Sequence, residues 1–199
     1  IVAAHSDSPV FKIKNNPEMA IENRYLSLNT EKYGGMIISS WLDRPLSIAG
    51  RVVVVKGDGL ETRLVNIDRD LLVIPNLAIH MNRDINKGYT YNPQKDMLPL
   101  FGTASDKGIF EDMMAEAAGV SKENILGEDL FLYNRMKGCV CGAMGEYIAS
   151  PKLDDLQCAY AVTSAFINSG QTKGNNMCCI FDNEEVGSRT AQGADADFL

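Results

Sequence analysis

Between Asn16 and about Glu146 the apolar positions come in short runs broken by turn residues, whereas after Ser150 they change to a helical spacing followed by one apolar run. In the first region Gly35 to Trp41, Ala49 to Lys56 and Thr62 to Ile67 are predicted as short strands. Gly57-Asp58-Gly59 joins the last two as a hairpin. Leu71 to Ile79 carries Pro75, which cannot donate to a ladder, so this segment is expected at an edge or a bulge. The spacing predicts a helix over Ile109 to Ala118 that stops at Gly119, with Ser121 capping a further short turn. Leu130 to Tyr133 reads as another strand, and Tyr89 to Pro99 as a loop.

Beyond Ser150, Leu156, Ala159, Tyr160, Thr163, Phe166 and Ile167 share one helical face, predicting a helix from about Asp155 to Ser169. A glycine-rich turn near Gly170 to Asn175 then leads into a strand, Met177 to Phe181. Ile1-Val2-Ala3 reads as the end of another strand. These flanks form an α/β alternation, in which chemistry is expected at the carboxyl ends of the strands. The expected organisation is an α/β domain built from residues 1–15 and 148–199, interrupted by a mostly β insertion over 16–147. No internal repeat or low-complexity linker divides the chain.

Composition narrows the function classes. With 45% hydrophobic and 23% charged residues among 199, the chain is of ordinary globular type rather than disordered. A net charge of −7 lacks the basic footprint of a nucleic-acid surface. No apolar stretch approaches the ~20 residues of a membrane span. Five cysteines, Cys139, Cys141, Cys158, Cys178 and Cys179, lack the spacing of a zinc-thiolate site and read as small buried hydrophobes in a reducing compartment. The expected location is the cytoplasm.

Three segments carry candidate chemistry. Asp182-Asn183-Glu184-Glu185-Val186-Gly187-Ser188 places adjacent carboxylates after an apolar strand. One of them can bind a cation while its neighbour, unable to point the same way, takes a proton from water activated there. Adjacent acids in a loop are, taken alone, most often solvated surface. In His5-Ser6-Asp7 on an extended chain both side chains point the same way, so Asp7 can orient an imidazole ligand. A turn with a half-buried histidine fits the same residues. Pro151-Lys152-Leu153-Asp154-Asp155-Leu156 sets two acids before a helix, where one of them can simply be the N-cap. Together, one histidine and several carboxylates suggest a dinuclear site for a hard or borderline divalent ion, with zinc the best match for mixed nitrogen and oxygen donors. With only His5 and His80 present and no nucleophile-elbow motif, a Ser-His-Asp or Cys-His mechanism has no comparable support.

These segments, with Trp41-Leu42-Asp43-Arg44-Pro45-Leu46-Ser47-Ile48-Ala49-Gly50-Arg51-Val52 and Ile74-Pro75-Asn76-Leu77-Ala78-Ile79-His80, resemble the aspartyl aminopeptidase family of dinuclear zinc exopeptidases, in order and over essentially the whole chain. The resemblance implies a zinc-exopeptidase catalytic domain with the insertion serving as a dimerisation domain, dimers assembling further into a hollow dodecamer. It implies that His5 is a zinc ligand oriented by Asp7, Asp154 a carboxylate bridging two metals, Glu184 the general base and Glu185 a metal ligand. By the same resemblance His80 reaches a neighbouring subunit's site to help stabilise the reacting carbonyl; from sequence alone it is an ordinary strand-end histidine.

The implied activity is removal of N-terminal residues, acidic ones among the candidates, from peptide substrates. The implied cofactors are two divalent ions, zinc foremost, with cobalt and manganese as alternatives. Asp155 departs from the family, which often has Asn there. The family also supplies a further carboxylate and a histidine ligand downstream of Glu185. The chain is therefore expected to be an internal fragment of a longer enzyme, inactive and weakly metal-binding alone. Two other readings remain: a dinuclear amidohydrolase of acylated amino acids, and a non-catalytic assembly module.

Overall fold

The computed structural model of the chain describes residues 1–170, 173–197 and 199. Its strands are β1 (Val2–His5), β2 (Val10–Ile21), β3 (Tyr25–Tyr33), β4 (Leu46–Lys56), β5 (Gly59–Asn66), β6 (Leu100–Thr103), β7 (Ile125–Asn134), β8 (Cys139–Cys141), β9 (Tyr147–Ala149) and β10 (Cys178–Phe181). The helices are α1 (Pro93–Asp96), α2 (Ile109–Ala118) and α3 (Leu153–Asn168), with short 3₁₀ turns between. The chain divides into two compact units. One comprises Ile1–Pro9, Tyr33–Met36 and Lys137–Leu199; the other comprises Val10–Lys32 and Ile37–Met136.

The second unit is a six-stranded sheet in the order β5-β4-β7-β2-β3-β6. Its long β4 reads Leu46, Ile48, Gly50, Val52 and Val54 along one face, and the four apolar side chains are fully buried. Position 50 is glycine because a Cβ there would stand 2.2 Å from the Asp129 carbonyl of β7. Phe11, Leu26, Leu28, Leu130 and Leu132 complete the core. Helix α2 buries Phe110, Met114, Ala115 and Ala118, a single stripe at helical spacing. Its N-terminus begins at Gly108 without a cap of its own. Glu18 of β2 supplies one, accepting from Gly108 N at 2.6 Å and Phe110 N at 2.9 Å.

Several expectations are corrected here. Gly35 to Trp41 is not a strand: Ile38–Trp41 forms a 3₁₀ turn, because Ser40 Oγ and N both donate to the Ile37 carbonyl, at 2.7 and 3.1 Å, and close the backbone locally. The long β2 and β3 were not predicted. Asn15-Asn16-Pro17 interrupts the alternation of β2, with Asn16 at a φ of 59°. Leu71 to Ile79 contributes isolated bridges at Leu72, Val73 and Ile74 rather than a strand, as Pro75 requires. Ser121 occupies the N-cap position of Lys122–Asn124, yet its side chain makes no cap bond. The loop from Tyr89 to Pro99 holds the single-turn α1, capped by Asn92.

The first unit pairs β1 with β10 in parallel, with α3 and the exposed β8–β9 hairpin. Regular helix in α3 starts only after Asp155, because Asp154 and Asp155 carry non-helical backbone angles. No residue of α3 is buried. The expected turn from Gly170 to Asn175 lies partly outside the described residues. The cysteines overturn their reading as buried hydrophobes: Cys139, Cys141 and Cys158 are exposed, and only Cys179 is buried. Cys139 and Cys141 sit on a two-stranded hairpin whose residues are all exposed, and α3 carries Cys158 on an exposed surface. Among the described residues no helix is long and apolar enough to cross a membrane.

Candidate metal centre

Parallel pairing sets His5 opposite Phe181, so β1 and β10 release their following loops from the same edge. Ser6 N extends the ladder by one bond, 2.9 Å to the Phe181 carbonyl. That places Asp7 under the loop carrying Glu184 and Glu185. Asp7 Oδ1 accepts from the Glu184 amide at 3.1 Å, and Oδ2 from the Glu185 amide at 3.2 Å. Tyr33 Oη lies 2.8 Å from Asp7 Oδ2 and 2.9 Å from Asn183 Oδ1. Its one proton belongs on the carboxylate, the stronger acceptor.

Asp7 is thus enclosed, with only 7% of its side chain exposed, and every oxygen is engaged. Burial acts to raise its pKa, but the bonds from Tyr33 and the two amides, with His5 nearby, hold it below the usual carboxylate value. Burial and the Asp7 carboxylate push the Tyr33 phenol far upward, so it stays a donor.

His5 hangs on this fixed carboxylate. Its Nδ1 is 3.2 Å from Asp7 Oδ1 and 3.1 Å from the Asp7 carbonyl, leaving Nε2 directed at three further carboxylates. Asp154 Oδ1 stands 3.4 Å away, Glu184 Oε2 3.8 Å and Asp155 Oδ2 3.9 Å. Burial would lower the imidazole pKa; the negative field of Asp155, Asp7 and Glu184 outweighs it and raises the value.

The acidic loop is pinned by backbone geometry. Gly187 N bonds the Glu184 carbonyl at 2.9 Å and Ser188 N the Asn183 carbonyl at 2.8 Å. Asn183 and Ser188 accept left-handed angles to make the turn. Gly34, at a φ of +78°, closes the other side: a Cβ there would sit 2.9 Å from Glu185 Cβ. Burial raises the pKa of Glu185, and its neighbours Glu184 and Asp7 add to that. On the remaining side, Ser8 Oγ donates to the Asp154 carbonyl at 3.4 Å, and the peptide between Asp154 and Asp155 is cis. Asp155 accepts from the thiol and amide of Cys158 and from the His5 amide, which together hold its pKa low. It is therefore the capping acid of the pair, while Asp154 is left 88% exposed.

His5, Asp7, Asp154, Glu184 and Glu185 all lie in the first unit. His80 belongs to the second, on the exposed 3₁₀ turn Ile79–Met81. Sequence reasoning missed two contributors. Tyr33 and Gly34 lie far from every acidic motif in the chain and carry no local signal. Asp155 was legible only as an alternative cap.

The donor chemistry fits a zinc ion. In a tetrahedral site with ligand distances near 2.0–2.2 Å, two ligand atoms lie about 3.4 Å apart, and His5 Nε2 and Asp154 Oδ1 have that spacing. Among the described residues, however, no group of three or more such side chains is arranged to hold an ion as it stands. His5 Nε2 and Asp154 Oδ1 are thus a pair of donors at a compatible spacing, with Glu184 Oε2 3.8 Å from the same nitrogen.

Comparison with known proteins agrees in family and fold. The family described as aminopeptidase I zinc metalloprotease (M18) matches residues 1–199. A probable M18 family aminopeptidase 2 of Clostridium acetobutylicum is 52% identical over 205 residues, covering 100% of this chain and 47% of that protein. The chain spans about half the length of the curated relatives it matches. A cryo-EM structure of the Ape4 and Nbr1 complex superposes with a TM-score of 0.87 at 33% identity, over 100% of this chain and 43% of the other. The S. cerevisiae mApe1 dodecamer gives 0.78 at 25%, over 96% of this chain and 45% of the other.

Proposed function

The chain belongs to the aminopeptidase I zinc metalloprotease family, M18, and from that premise we propose that it carries part of the active site of a metalloaminopeptidase. The observation that carries this reading is the His5 ring, fixed at Nδ1 by a saturated Asp7 and facing Asp154 and Glu184 from Nε2. His5, Asp154 and Glu185 are assigned as ligands of a pair of divalent ions, zinc foremost. When bound, zinc supplies Lewis-acid polarisation of the scissile carbonyl and makes water more acidic.

The chain's own groups do the rest. Asp7 fixes the imidazole tautomer with Nδ1 as donor, leaving Nε2 free as a ligand. Glu184, on the open side of the loop, accepts the proton of the attacking water and passes it to the leaving amine. Asp7 holds the amides of both Glu184 and Glu185, while the Glu185 side chain packs against Gly34 and that of Glu184 is 54% exposed, which separates ligand from base. The substrates are peptides with a free N-terminus, acidic residues among those removed. The second unit provides self-association, and its exposed His80 serves a neighbouring subunit's site.

The test uses the protein extended to the full length of its relatives. Glu184→Gln is expected to lower turnover of Asp-, Glu- or Leu-anilides by ~10²- to 10⁴-fold with metal content unchanged. Turnover equal to the parent sinks the assignment of the base. Hydrolysis of N-acyl amino acids but of no anilide would move the function to amidohydrolysis.

A further inference from the structure

The six-stranded sheet ends in β5, and no other strand of the described residues takes up its outer edge. Lys56 and Gly59 flank the two-residue turn Gly57-Asp58, so they form a hydrogen-bonded pair and the pattern alternates from there. The backbone groups of Gly59, Glu61, Arg63 and Val65 therefore point to β4. Those of Leu60, Thr62 and Leu64 point outward. Proteins usually blunt such an edge with proline, a bulge or an inward charge. Here the strand has no proline and runs its full length in unbroken register; its inward charges, Glu61 and Arg63 opposite the buried Val54 and Val52, are paired with each other, and Leu60 and Leu64 are 68% and 84% exposed.

We propose that β5 pairs antiparallel with β5 of a second copy about a two-fold axis through Thr62, continuing the sheet from one subunit into the next. This surface deepens the self-association proposed above and rests on it. The sequence Leu60-Glu61-Thr62-Arg63-Leu64 reads alike from both ends in polarity and with opposite charge across its centre. Pairing about Thr62 sets Leu60 opposite the partner's Leu64, Thr62 opposite the partner's Thr62 and Glu61 opposite the partner's Arg63. The outward backbone groups of Leu60, Thr62 and Leu64 then form the hydrogen-bonded pairs. Glu61 and Arg63 fall at the closer non-bonded positions, where opposite charges stabilise.

Other registers of the same hydrogen-bond parity fail. A shift by two residues one way sets Glu61 against its own copy, and the other way does the same for Arg63; like charges directly opposed are destabilising. Within one chain Glu61 accepts from Arg63 Nε at 3.0 Å and pairs with Lys56, while Arg63 Nη1 also donates to the Ala118 and Gly119 carbonyls at 2.8 and 3.2 Å; both groups lie charged on the face that the partner strand extends.

Two experiments on the full-length protein test the surface. Opposed residues of a hydrogen-bonded pair have Cα atoms ~5.5 Å apart, within disulfide reach. Thr62→Cys is expected to give a covalent dimer on air oxidation with a copper catalyst, absent from the parent with its native cysteines. Separately, E61R and R63E should each weaken association at least ten-fold by light scattering, and an equal mixture of the two variants should recover it. Mixing restores opposed charges only between chains, so recovery separates an interface from a folding defect. An assembled protein that neither cross-links at residue 62 nor responds to either charge reversal overturns the edge pairing and leaves self-association standing. A parent protein monomeric at all concentrations overturns both.

Discussion

At the scale of single residues, the candidate centre depends on a carboxylate whose oxygens are all taken up by protein donors. Asp7 is held by Tyr33 and two amides so that it can hold His5. Tyr33→Phe removes a hydrogen bond to an enclosed charge and is expected to cost about 1.5–3 kcal/mol. Urea unfolding of variant and parent would show it, and an unchanged midpoint would mean that water replaces the phenol. His5→Ala should leave the fold intact, since the ring is a polar group at a strand end rather than core, and should lower metal content. Elemental analysis of purified full-length variant decides this; full occupancy would remove His5 from the ligand set.

Elements are fixed by groups distant in sequence. Helix α2 starts at a glycine with no side chain to offer, and its first amides bond instead to Glu18, ninety residues earlier. A carboxylate there satisfies orphan donors and complements the helix dipole. Glu18→Ala should therefore destabilise the second unit by about 1–2 kcal/mol, measured by denaturant unfolding, with Glu18→Gln intermediate. Equal stability of all three would mean that solvent caps the helix. At the other end the sequence was sufficient. Gly119 at a φ of 65° closes α2 as expected, and Arg63 adds a 2.8 Å bond to the Ala118 carbonyl.

For the molecule as a whole, charge links stability to pH. Burial acts to raise the pKa of Asp129, but Lys12 at 2.7 Å and Arg51 at 3.0 Å overcome it and depress the value. A depressed carboxylate contributes stability above its unfolded pKa of ~3.9, and that contribution disappears as pH falls through the lower folded value. Parent and Asp129→Asn should thus differ most at pH 5 to 7 and converge below pH ~4 in urea unfolding. A gap that persists unchanged at low pH would assign the effect to packing instead.

The sequence by itself determined the elements whose signals are local. The β4–β5 hairpin is written in Gly57-Asp58-Gly59, α2 in its apolar spacing and Gly119, and β10 in one apolar run. The acidic and histidine motifs, being short and ordered, pointed to metal chemistry and to a zinc aminopeptidase family, which the comparison places at the level of M18. Tertiary structure decided what depends on chain segments meeting. It assembled His5, Asp7, Asp154 and the Glu184–Glu185 loop through a parallel pairing of β1 with β10, residues 176 apart. It brought Tyr33 and Gly34 to that loop and chose Asp155 over Asp154 as the cap of α3. It also built β2 through the Asn15-Asn16-Pro17 interruption of its alternation, and β3 after it. The physical reason is one of range: turn chemistry and periodicity act over a few residues, whereas a buried carboxylate takes its partners from wherever the fold delivers them.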